Sequence, residues 1–187
     1  MRSILVFISL SFCLSSFAGG EITVSYDIYL EKLRENKQDE AAAWLSKAVI
    51  DGNPRALLEL SSKCLNENHC NDPVILRPLL KNLISSEDVY IRARAYLLMS
   101  QFTLKYEPGI KGELQALDYL LLASAYGEEG AIVKALPLFE KISKYNKDYA
   151  VFIYTILQKE ILFTQKDSIL YKEIQSQMNL LADKLKE

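Results

Sequence analysis

Residues 41–60 read AAAWLSKAVIDGNPRALLEL, and 75 positions further on residues 116–135 read ALDYLLLASAYGEEGAIVKA. Laid over each other, Ala41, Trp44, Leu45, Ala48, Gly52, Ala56 and Leu60 meet Ala116, Tyr119, Leu120, Ala123, Gly127, Ala131 and Ala135. The only changes in type are Trp to Tyr and a final Leu to Ala. Offsets of three, four and seven put Ala41, Trp44, Leu45 and Ala48 on one face of a helix, and Ala56 and Leu60 carry the same period onto a second. Gly52 falls between them, where a helix often ends on a residue with positive φ. Asn53 and Pro54 then offer an N-cap and a first-turn proline to the next helix. Each copy is therefore predicted to be a helical hairpin whose alanines allow close approach and whose aromatic fills the wider space between hairpins. A skeleton that recurs in this way marks stacked repeats, each burying its apolar face on a neighbour.

At these residues the chain resembles the Sel-one-like repeat family, relatives of tetratricopeptide repeats with units of about 36 to 44 residues. Gly109, Ile110, Glu113 and Ala116 are similar to that family's loop between repeats. The separation of the two copies leaves room for one degenerate unit, with Ala93 and Leu97 lying 37 residues after Ala56 and Leu60. The resemblance spans residues 38–140 and implies an all-α, right-handed α-solenoid of antiparallel hairpins with about eight to nine helices.

The remaining chain reads as helix throughout, because glycine is scarce and β-alternation is absent. Predicted helices cover Val24–Asn36, Gln38–Asp51, Pro54–Asn66, Asp72–Ser86, Glu87–Tyr106, Gly112–Tyr126, Glu128–Tyr145, Lys147–Phe163 and Asp167–Lys186. Pro78 and Pro137 fall inside two of them and predict a kink, or in the first case a later start. One helical-repeat domain is expected over 19–187: an N-terminal helix in 19–37, repeats in 38–145, and capping helices in 146–187.

The segment 1–18 has the form of a Sec-type signal peptide. Arg2 supplies the charge, Ile4 to Leu14 an apolar run, and Ser16-Phe17-Ala18 a small-x-small cleavage site. A periplasmic or secreted product is expected. Beyond that segment no uncharged apolar stretch is long enough to span a bilayer of about 20 residues, so no further transmembrane segment is expected. Formal net charge is −2 and lysines and glutamates are interspersed along the chain, which disfavours nucleic acid as a partner.

Past Cys13 only Cys64 and Cys70 remain, an even number that suits a disulfide in an oxidising compartment. Closing that short loop is worth about 2 kcal/mol by loop-entropy arithmetic. His69 and Asp72 stand nearby, but a structural zinc site presents two recognisable ligand pairs, so neither a metal nor any other cofactor is expected.

Catalysis finds little support in the sequence. His69 is the only histidine, and there is no G-x-S-x-G, Walker-type loop or H-E-x-x-H. Some exported relatives of the resembled family are discussed as penicillin-binding enzymes, yet S-x-x-K does not occur here. The resemblance instead implies a non-catalytic protein-protein interaction module. In its most specific form this is an immunity-type inhibitor of an envelope-acting toxin; the alternatives are an adaptor or assembly factor for an envelope complex, or a small envelope hydrolase. Solenoids use a groove lined by the first helix of each hairpin. This makes Ala43, Lys47 and Asp51 in one copy, and Asp118, Leu122 and Tyr126 in the other, the expected partner-binding residues.

Overall fold

Helix is the only regular structure among the described residues of this computed structural model, which are 24–66, 72–128, 130–145 and 147–186, the side chains of Lys147 and Lys184 excepted. The nine described helices are α1 (24–34), α2 (Gln38–Ile50), α3 (Pro54–Asn66), α4 (Pro73–Ile84), α5 (Val89–Tyr106), α6 (Ile110–Ala125), α7 (Ala131–Ser143), α8 (Lys147–Phe163) and α9 (Ile169–Lys186). The expected signal segment, His69 and Cys70 lie outside the described residues. The chain divides into two compact units, Met1–Asp72 and Pro73–Glu187.

In the first unit four of the skeleton residues are buried in the core with Tyr29. Ala41, Ala48 and Ala56 are at most 1 % exposed, Leu45 is buried beside them, and Trp44 is half-buried against the cluster. Helix α1 closes this core with Tyr29, which is buried and donates its hydroxyl proton to Glu59 Oε1 at 3.1 Å. Burial, with the neighbouring Glu59 carboxylate, pushes the phenol above its ordinary pKa of 10.0. Ser25 Oγ donates to Asp51 Oδ2 at 2.9 Å and ties the start of α1 to the end of α2.

In the second unit each helix packs on the next from α4 to α9, and α9 also touches α7. One apolar core runs from Leu97 on α5 through Ala116, Leu120, Ala123, Ala131 and Ala135 to Ile153, Leu157, Ile174 and Leu181. The second copy of the skeleton therefore sits at the unit's centre. Tyr119, equivalent to Trp44, is likewise half-buried. Ala93 and Leu97, the expected marks of the middle unit, are both buried on α5.

The turns that end α2 and α6 agree hydrogen bond for hydrogen bond. Asp51, Gly52 and Asn53 donate to the carbonyls of Lys47, Val49 and Ala48 at 2.9, 3.0 and 2.9 Å. Their equivalents Tyr126, Gly127 and Glu128 donate to Leu122, Ser124 and Ala123 at 3.0, 2.9 and 2.9 Å. Both glycines have left-handed φ, +78° and +90°. This is a Schellman-type stop, in which a residue without Cβ turns the chain so that the last carbonyls of the helix find donors. The α4–α5 turn has no glycine and closes instead with Ser85 and Ser86 donating to Asn82 and Leu83 at 3.0 and 3.1 Å.

Several boundaries differ from the sequence reading. Asn36 takes φ 59° and stops α1 early. Helix α5 starts at Val89 because the Asp88 carboxylate accepts from the N–H groups of Tyr90 and Ile91 at 2.9 and 3.3 Å, an N-cap. Gly130, with φ 83°, precedes α7 and delays it to Ala131. Helix α6 starts earlier than expected, at Ile110, which puts Gly112 inside its first turn. There a Cβ would lie 1.7 Å from the Glu107 carbonyl oxygen, so only glycine fits this close approach. Helices α4 and α7 continue through Pro78 and Pro137.

Candidate functional site

An open pocket of the second unit lies where α5 begins and α6 ends. Helix α5 brings Val89 and Tyr90, 54 % and 61 % exposed, to the rim of this pocket of about 440 Å³. Ala93 lines its floor and Tyr126 and Gly127, from the end of α6, line the facing wall. Arg94 and Glu128 complete it, with Arg94 Nη1 donating to Glu128 Oε1 at 2.7 Å.

The aromatic wall is held by two contacts from α5. Tyr126 stacks on Tyr96 with ring centres 5.6 Å apart and planes 5° from parallel, and Tyr96 lies 6.2 Å from Tyr119. The Arg92 guanidinium carbon is also 5.1 Å from the centre of the Tyr126 ring. Arg92 is itself fixed, because Nε and Nη2 both donate to the Ser86 carbonyl at 2.9 and 2.6 Å. A planar cation held over an aromatic face, with its side chain locked by backbone, is a preorganised contact surface. Partners meeting it lose little rotamer freedom in these residues.

The expected partner-binding residues fall into two groups. In the first unit Ala43 and Lys47 are exposed, with Lys47 Nζ 5.0 Å from the centre of the Trp44 ring. Asp51 is already engaged by Ser25, which gives it a bracing role inside the unit. In the second unit Tyr126 is part of the pocket, Leu122 is 38 % exposed, and Asp118 is exposed. Partial desolvation holds the Asp118 carboxyl above its ordinary pKa.

Val89, Tyr90, Arg92 and Arg94 were not among the expected residues. Their signal was present in VYIRARAYL, residues 89–97, where two arginines interrupt a run of small and apolar residues. Cys64 is buried near the end of α3, and its expected partner Cys70 lies outside the described residues. Among the described residues no group of three or more His, Cys, Asp or Glu is placed to hold a metal ion. None of the described helices is long and apolar enough to cross a membrane. Compared with known proteins, the chain matches no family model, no curated protein and no solved structure.

Proposed function

We propose that this chain is a non-catalytic helical-repeat module that binds another protein in the periplasm or outside the cell. The observation that supports this is the exposed Tyr90 at the pocket together with the half-buried Tyr126 and the Arg92 that packs on it, since aromatic and arginine side chains on a rigid support are the groups that dominate protein-protein affinity. The proposal includes the finer arrangement implied by the resemblance, a right-handed α-solenoid of the Sel-one-like type. It also includes a Cys64–Cys70 disulfide, for which the buried position of Cys64 at a helix end is the support. Mass spectrometry after alkylation without reductant should find both thiols protected; free thiols would remove that element.

Within this class the specific role is that of an immunity-type inhibitor holding an envelope-acting toxin. The test is capture from a native periplasmic extract by the purified protein, alongside a Tyr90→Ala, Tyr126→Ala double variant. A single partner held in a 1:1 complex with Kd of about 10 nM or tighter supports an inhibitor, whereas a Kd of about 10 μM fits an adaptor. Capture that is indifferent to both tyrosines would reject this surface. Turnover of peptidoglycan, phospholipid or β-lactam substrates would reject the non-catalytic reading.

A further inference from the structure

Asp118, Leu122 and Tyr126 stand four residues apart on α6 and at its cap, so each is turned about 40° from the last and they form one stripe about 12 Å long. The stripe ends at the pocket, since Tyr126 is its wall. Its other end is a charge without a counter-charge. The carboxylates before, within and after α6, Glu107, Glu113 and Glu128, each take a cation from another helix, from Arg77, Lys141 and Arg94 respectively. Asp118 has no hydrogen bond or ion pair among the described residues. Its neighbours one turn away on α6, Leu114, Gln115, Leu121 and Leu122, offer it no charge.

An exposed carboxylate flanked on its own helix by Leu114, Leu121 and Leu122 and holding no cation is open to a charge-assisted hydrogen bond. Leu122 beside it is an apolar side chain left 38 % exposed, and the pocket beyond is walled by Val89, Ala93 and Tyr126. The order along the stripe is thus acidic, apolar, then an aromatic cleft. A carboxylate at one end repels phosphate and favours a basic side chain.

We propose that this stripe receives an extended segment of a partner protein that carries Lys or Arg about four residues from an aromatic or large aliphatic residue. The basic side chain pairs with Asp118 and the apolar one enters the pocket against Tyr126. The spacing follows from geometry, because an extended chain advances about 3.3 Å per residue and covers the stripe in about four. This inference rests on the protein-binding reading above and supplies the partner's chemistry.

The experiment is selection of random peptides of about 12 residues, displayed on phage, against the whole protein and its Asp118→Lys variant. Wild type should enrich peptides with Lys or Arg three to five residues from Phe, Tyr, Trp or Leu; Asp118→Lys should enrich Asp or Glu at the same place. One selected peptide, titrated against Asp118→Asn, should bind about tenfold more weakly and with less dependence on salt. Circular dichroism melts establish that both variants fold, and the Asn titration decides the matter if Asp118→Lys does not. Identical peptides selected by both proteins, or peptides lacking a basic residue at that spacing, overturn the inference. If such peptides still lose affinity on Tyr90→Ala, the binding surface stands and only the basic-residue chemistry falls.

Discussion

The α2–α3 and α6–α7 hairpins share a skeleton and a hydrogen-bonded exit turn, yet the chain enters and braces them differently. In both, the skeleton alanines of the first helix are at most 1 % exposed and a half-buried aromatic stands beside them. Into α2 the chain passes through Asn36 and Lys37, with Lys37 N–H donating to the Lys32 carbonyl at 3.0 Å. Into α6 it passes through Gly109 and then Gly112, whose Cα lies against the Glu107 carbonyl. The second hairpin also carries an ion pair between Lys141 Nζ and the buried Glu113 at 2.6 Å, where the first has Gln38 and Asn66. The first is tied instead to α1 by Tyr29 and Ser25. What is shared is thus the set of positions where backbones must come close; what differs is how each hairpin is fastened to the helix before it.

The difference at the approach to the hairpins should be the easiest to break. Gly112→Ala pushes a methyl into the Glu107 carbonyl and should lower unfolding free energy by about 3 kcal/mol or more, while Lys37→Ala at the equivalent position should change it by about 0.5 kcal/mol at most. Chemical denaturation reads both, and a Gly112→Ala protein as stable as wild type would mean the tight approach is dispensable. The shared skeleton makes the opposite forecast. Ala48→Leu and Ala123→Leu add the same bulk at equivalent, fully buried sites and should each lose about 1 to 3 kcal/mol, by similar amounts. A loss at one site alone would show that the two hairpins are not packed alike.

The smallest effect sharpens the contrast in fastening. Because the folded state holds Tyr29 neutral above its ordinary pKa of 10.0, its contribution is complete below pH 10 and is lost as pH rises beyond that value. Trp44 is the chain's only tryptophan, so its fluorescence should report alkaline loosening of the first unit. Tyr29→Phe should flatten that response, whereas an unchanged alkaline profile in the variant would assign it elsewhere. The position equivalent to Tyr29 near the second hairpin is Leu104, which cannot ionise.

The hairpins were legible because their cause is local: alanine spacing fixes the helix faces, and a glycine fixes the stop. The boundaries were less so where a single residue outvotes the period, as Asp88 does by capping α5 and Gly130 by delaying α7. Tyr126 and Leu122 were found by counting along a helix. Arg92 was not, because its role comes from Tyr126 and the Ser86 carbonyl, and neither contact follows from its own helical period. Asp51 looked equally available by the same counting, but Ser25 on a preceding helix already holds it.

Helix α5 is enclosed on several sides, with Ile91, Ala93, Ala95, Leu97, Leu98, Met99, Ser100, Phe102 and Thr103 all buried. Such a segment opens only when its whole unit does, so its amides should rank among the slowest to exchange with deuterium. Tyr90, Arg92 and Arg94 are therefore mounted on a beam rather than on a hinge. Recognition through them would proceed by collision and fit, with no loop to fold on arrival.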